Sequence, residues 1–92
     1  VTVLASARIV ITDPVGLHAR PASMFVQRAK KYAGSVIVKH GEKQADAKSI
    51  LQVMGLGAKS GAVVTVEVED GPEAQALLEE LAAIVGHLES VQ

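Results

Sequence analysis

The 92-residue chain has no cysteine and no tryptophan, and its aromatic residues are Phe25 and Tyr32 alone. Without cysteine there can be no disulfide and no thiolate metal site, a composition that fits a reducing compartment. With two aromatic rings the core has to be aliphatic, built from Val, Ile, Leu and Ala. Hydrophobic residues make up 49% of the sequence, which argues against disorder. No apolar run approaches the roughly 20 residues that span a bilayer. The apolar start, Val1 to Ala7, is short and lacks the basic residues of a signal peptide. These features predict a cytoplasmic protein with no membrane segment, folded as a single domain over residues 1–92.

A surplus of one charge is missing as well. The net charge is −1. A nucleic-acid binder needs a basic balance and often stacking aromatics, and the chain has neither. The near-neutral total hides an asymmetry. Residues 1–48 carry eight Lys/Arg against three Asp/Glu, whereas residues 49–92 carry one Lys against seven acids. One reading is a chance spread over a solvated surface. The other is a basic neighbourhood suited to phosphate or to an acidic partner.

Ala7 to Thr12 reads as a strand, followed by turn chemistry at Asp13-Pro14-Val15-Gly16. From Ala19 the pattern becomes helical, with Ala22, Phe25, Val26, Ala29 and Ala33 on one apolar stripe and Gly34 as the stop. Pro21 is tolerated because the first turn leaves its missing N–H without an intrahelical role. Ser35 to Lys39 and Gln44 to Ala47 are strands joined by a turn over 40–43. Ser49 and Gln52 match a capping box for a short helix from Ile50 to about Met54. Ala62 to Glu69 alternates cleanly as a strand. Asp70-Gly71-Pro72-Glu73 caps a last helix to about Leu88, with Ala74, Leu77, Leu78, Leu81, Ile84, Val85 and Leu88 buried. The order βαββαβα with short turns predicts an α+β domain, a mostly antiparallel sheet covered by helices on one face.

The stretch Gly16-Leu17-His18-Ala19-Arg20-Pro21-Ala22 carries the chemistry. His18 precedes a helix start, where free N–H groups and a partial positive charge favour an anion. Gly16 allows close approach, and Arg20 offers a planar fork of donors that matches phosphate oxygens. The same positive field disfavours the imidazolium and leaves a neutral nucleophile. No carboxylate adjoins His18 in sequence, so a Ser-His-Asp hydrolase is not indicated. A carrier of phosphate on nitrogen needs its bond to survive until a partner arrives, and the stretch offers no group to activate water.

On the short helix Ile50, Leu51, Val53, Met54 and Leu56 are apolar nearly all round. Either all are core, or Leu51 and Met54 are exposed and, with Met24, form a docking patch. Ser49 reads as a helix cap, and a phosphate added there would be tolerated. His40 reads as turn surface and His87 as the end of the last helix. Neither has ligand spacing with His18, so no metal or cofactor is expected. Gly55 to Gly61 lacks the spacing of a phosphate loop and reads as a helix stop and turn.

The motif at Gly16–Ala22, with Ala47-Lys48-Ser49-Ile50-Leu51 and Gly55-Leu56-Gly57, resembles HPr, the histidine-containing phosphocarrier family of the bacterial sugar phosphotransferase system. The resemblance implies an open-faced β-sandwich, a four-stranded antiparallel sheet in order 1-4-2-3 with three helices on one face. It implies a carrier, not an enzyme, phosphorylated at Nδ1 of His18 by phospho-enzyme I and donating to enzyme IIA. Arg20 matches the family's active-site arginine. Ser49 matches the serine modified by HPr kinase/phosphorylase, with a transcriptional regulator as a further partner. Arg20, Met24, Gln27, Lys30, Ile50, Leu51 and Met54 fall on the partner face of a monomer. Val15 stands where many relatives have a small polar residue, removing one hydrogen bond near the phosphate. Relatives serving nitrogen regulation or dihydroxyacetone phosphorylation share the histidine motif. The alternative is therefore an HPr-like regulatory or interaction module.

Overall fold

The computed structural model describes residues 4–14, 16 and 19–89. The elements run β1 (Leu4–Ile11), α1 (Ala19–Lys30), β2 (Val36–His40), β3 (Lys43–Asp46), α2 (Ile50–Gly55), β4 (Val63–Glu69), α3 (Ala74–Val85) and β5 (Gly86–Leu88). They build one antiparallel sheet in the order β3-β2-β4-β1-β5. The expected order 1-4-2-3 holds for the first four strands. The fifth strand was not expected.

The period of two in the strands sets the layers. Ile9 and Ile11 of β1, Val64, Val66 and Val68 of β4, Val36 and Val38 of β2, and Ala45 of β3 are buried in one cluster. The same cluster holds Ala22, Phe25, Val26 and Ala29 of α1, Val53 of α2, and Ala74, Leu77, Leu78, Leu81, Ala82 and Val85 of α3. All three helices therefore cover one face. The strand positions between these carry polar and partly exposed groups, including Thr65 and a Lys39 to Glu67 ion pair at 3.1 Å. This is the open-faced α+β arrangement.

Where the chain departs from its sequence pattern, the cause is a long-range contact. The last helix stops at Val85 and not at Leu88. Its apolar period continues to Leu88, but a Cβ on Gly86 would collide with the carbonyl oxygen of Val10. Only glycine can lie that close. The chain then pairs with the edge of β1, Ile9 opposite Leu88 and Val10 opposite His87. Backbone bonds from Thr12 N to Val85 O (3.0 Å) and from Glu89 N to Arg8 O (2.8 Å) continue the ladder. The pairing satisfies edge groups that would otherwise face solvent.

Helix α1 ends at Lys30, before Gly34, and Ala33 is exposed beyond the stripe. Lys31 N and Tyr32 N donate to Arg28 O and Ala29 O, tightening the last turn. Lys48 Nζ then donates to Tyr32 O (2.7 Å) and Gly34 O (2.8 Å), a cation beside the carbonyl end of the helix. Gly34 is needed for proximity, since a Cβ there would stand 2.9 Å from Glu69 Cβ. At α3 the expected side-chain cap is absent. Glu73 makes no capping bond, and Asp70 Oδ1 accepts from Gly71 N within its own turn.

Arg28 links α1 to α3 through a bidentate pair with Glu80, at 3.1 and 2.7 Å. These bonds hold the Glu80 carboxyl below its ordinary range. A lowered folded pKa contributes stability above the ordinary glutamate range and loses it as pH falls through the folded value. The wild-type chain should therefore lose thermal stability on acidification more steeply than Glu80→Gln. Parallel slopes would mean that the pair contributes nothing. Gly86→Ala should cost at least about 2 kcal/mol, because backbone must move to admit the methyl group. Gly55→Ala, with nothing within 4 Å of its Cβ, should be neutral or stabilise by up to about 1 kcal/mol. Denaturant melts of the two variants test both.

Candidate functional site

The segment before α1 is fixed from two sides. Gly16 N donates to Asp13 O at 2.9 Å, closing a turn. Gly16 itself has φ +82° and is buried, and a Cβ there would stand 2.5 Å from Ala58 O and 2.8 Å from Lys59 Cα. Side chains are excluded twice over, by conformation and by space. Ile11 N donates to Ala62 O (2.9 Å) and Gly61 N to Ile11 O (2.7 Å), so the loop over 57–62 is stitched to the end of β1. The close approach at Gly16 is to the loop after α2.

Helix α1 starts at Ala19, with Pro21 buried in its first turn and Arg20 exposed. His18 lies outside the described residues, as does Val15, so the expectations placed on them concern residues without a described geometry. Arg20, Met24 and Gln27 are exposed at i, i+4 and i+7, opposite the buried stripe. Met24 is 53% exposed. Lys30 is exposed too, one residue short of that line.

Helix α2 is too short to bury every side, and the structure divides it. Val53 is fully buried and Ile50 packs partly against the core. Leu51 is 81% exposed and Met54 39%, which are the two residues the sequence singled out. α1 and α2 pack on one another, so the exposed apolar groups share the helix layer. Ser49 caps α2, its Oγ accepting from Gln52 N at 3.4 Å. The capping box is half formed, because Gln52 Oε1 accepts from Asp46 N (2.9 Å) and not from Ser49 N.

His40 is not turn surface. It sits partly buried at the end of β2, with Nδ1 3.2 Å from Leu56 O. His87 belongs to β5 and not to the last helix, and is exposed. Among the described residues no group of three or more His, Cys, Asp or Glu could hold a metal ion. None of their helices is long and apolar enough to cross a membrane. A hollow of about 290 Å³ lies between Lys31, Tyr32, Gly34, Glu69 and Glu73. It sits at the far end of α1 from Arg20, about 18 Å along a 12-residue helix, and takes no part in the candidate site.

Comparison with known proteins bears on this geometry. The family described as "PTS HPr component phosphorylation site" matches residues 5–87. The phosphocarrier protein HPr of Lysinibacillus sphaericus is 43% identical over 82 residues, covering 89% of this chain and 92% of that protein. Its counterpart in Vibrio cholerae is 40% identical over 81 residues, 88% of this chain and 94% of that protein. The crystal structure of HPr from Bacillus anthracis superposes with a TM-score of 0.81 at 34% identity, covering 89% of this chain and 96% of that one.

The division of α2 has a measurable consequence. Leu51→Ser and Met54→Ser should change stability by less than about 0.5 kcal/mol each, since both side chains are exposed. Val53→Ala should cost about 1–3 kcal/mol. Ser49→Ala should cost about 0.5–1 kcal/mol through the lost cap. Equal losses at Leu51 and Val53 would contradict the assignment of faces.

Proposed function

The chain belongs to the HPr family, and on that premise we propose that His18 is the residue that takes up and passes on the phosphoryl group. As a family member the chain is a phosphocarrier of the phosphotransferase system and not an enzyme, and its partners are proteins of that system. In the proposed cycle enzyme I, charged by phosphoenolpyruvate, presents a phosphohistidine. The lone pair of His18 Nδ1 attacks the phosphorus in line. The donor P–N bond breaks, and the donor nitrogen keeps the electron pair. In the second half a histidine nitrogen of an enzyme IIA attacks the same phosphorus, and His18 leaves with its electron pair. Sugar uptake draws on that product, and the chain acts as a monomer in the cytoplasm.

The observation that carries this reading is the packing of Gly16 on Ala58 and Lys59, followed by a helix from Ala19. Both flanks of the dipeptide Leu17-His18 are thereby held, and Arg20 is left exposed two residues beyond the histidine. A transferred phosphoryl group carries about two negative charges. Arg20 stabilises it with charge-assisted bonds, and the helix start adds its partial positive charge. Since the phosphoryl transition state is loose, most of the rate comes from such positioning.

Docking falls to the exposed residues of α1 and α2, namely Arg20, Met24, Gln27, Lys30, Leu51 and Met54, with Ile50 at their edge. Apolar groups with methionine among them adapt to more than one partner. Ser49 is a second, regulatory phosphosite for HPr kinase/phosphorylase. A phosphate beside Leu51 and Met54 would alter that face for enzyme I and for a transcriptional regulator.

Incubation with enzyme I and phosphoenolpyruvate should place one acid-labile phosphate on the chain, and His18→Ala should abolish it. Label retained in His18→Ala would show the assignment to be wrong. Arg20→Ala should lower kcat/KM of transfer by about 10- to 100-fold. Incubation with HPr kinase and ATP should give an acid-stable phosphate that Ser49→Ala lacks. No such label would leave Ser49 as a cap alone.

A further inference from the structure

We propose that Asp70 is a site of spontaneous main-chain rearrangement, at which the amide nitrogen of Gly71 closes on the side-chain carboxyl and leaves an isoaspartyl linkage. The product is a substrate for a methyltransferase that recognises isoaspartate carboxylates. Ring closure needs the following amide nitrogen beside the carboxyl and outside any helix or sheet bond, with no side chain to screen it. The chain has no asparagine and three aspartates, Asp13, Asp46 and Asp70. Asp13 precedes Pro14, whose nitrogen carries no hydrogen to lose. Asp46 precedes Ala47, whose N–H is committed to Val36 O at 2.9 Å, and its own Oδ1 accepts from Lys48 N at 2.9 Å. Asp70 alone meets the condition. Gly71 N donates to Asp70 Oδ1 at 3.0 Å and to no other described group.

The surroundings hold this arrangement without covering it. Upstream, Glu69 N donates to Ser35 O (2.9 Å) and the Glu69 carbonyl accepts from the Tyr32 hydroxyl. Downstream, Gly71 O accepts from Ala74 N at 3.2 Å. Asp70 and Gly71 between these anchors are exposed, and Asp70 lines the hollow of about 290 Å³ at the far end of α1, so water reaches the carboxyl. In the first step the Gly71 nitrogen attacks Cγ of the protonated carboxyl. The N–Cγ bond forms, the bond from Cγ to the hydroxyl oxygen breaks, and that oxygen leaves as water with the amide hydrogen. In the second step one water adds to the cyclic imide. Opening at Cγ restores aspartate, and opening at the main-chain carbonyl gives isoaspartate. One water is released and one consumed, so no oxidant or co-reactant is needed. The rearranged chain runs through Cβ and Cγ of Asp70, one carbon longer between β4 and α3, and the former main-chain carbonyl becomes a free carboxylate.

The test is to age the full chain at neutral pH and physiological temperature, folded in one series and unfolded in guanidinium chloride in another. Isoaspartate is counted with an isoaspartyl methyltransferase and labelled S-adenosylmethionine, and peptide mapping locates it. The folded chain should accumulate methyl-accepting sites at Asp70 and not at Asp13 or Asp46. Because the turn leaves the dipeptide open, the folded rate should lie within about three-fold of the unfolded rate. Asp70→Glu, an exposed substitution that moves the carboxyl one carbon away, should lose the label in the folded chain. Label that accumulates in the unfolded chain and not in the folded one would show that the fold protects the dipeptide, and would overturn the proposal. So would label that persists in folded Asp70→Glu.

Discussion

The structure depends on burying one face of a single antiparallel sheet with aliphatic side chains. With only Phe25 and Tyr32 as aromatics, the area has to come from many small contacts, and valine at alternate positions of β2 and β4 supplies it. The opposite face carries Lys39, Thr65 and Glu67 and stays wet. A sheet buried on one side needs a lid of helices on that side only. α1 and α3 provide most of it, joined at their outer edges by the Arg28–Glu80 pair.

That constraint decides where chemistry can occur. Helix ends and inter-element loops meet at the rim of the two layers, and there the chain before α1 is packed on the loop after α2. The small footprint left for α2 explains its exposed Leu51 and Met54. Once Val53 is seated in the core, a helix spanning Ile50–Gly55 has too few positions to hide its remaining apolar groups. Two exposed apolar side chains are thus a geometric consequence of a short helix at the edge of the lid. They lie in the same helix layer as the exposed Arg20 and Met24, and the docking face proposed above draws on all four.

Much of this was legible from local pattern. The alternation Val64, Val66, Val68 and the stripe Ala22, Phe25, Val26, Ala29 are periodic signals, and both faces are buried as read. Ser49 as a cap also follows from local sequence, while exposure of Leu51 and Met54 is one of the two readings the sequence leaves open. What escaped was set by contacts remote in the chain. The apolar period of α3 runs on to Leu88, and only the carbonyl of Val10 against Gly86 breaks it into β5. Lys48 reads as part of a motif, but its ammonium holds the Tyr32 and Gly34 carbonyls of the turn after α1. His40 looked like turn surface, yet it meets the Leu56 carbonyl. The partner of Gly16 could not be read at all, because Ala58 and Lys59 lie more than forty residues away in sequence. Glycine there signalled that something comes close without saying what.

The proposed cycle turns on one atom, Nδ1 of His18, as the carrier of the phosphoryl group. The chain has three histidines, and imidazole ¹H–¹⁵N correlation spectra distinguish all of their ring nitrogens. On charging the protein with enzyme I and phosphoenolpyruvate, the Nδ1 resonance of His18 should move to the position of a phosphorylated nitrogen, while His40 and His87 keep their ring nitrogen shifts. A phosphorylated nitrogen on His40 or His87, or at Nε2 of His18, would contradict it.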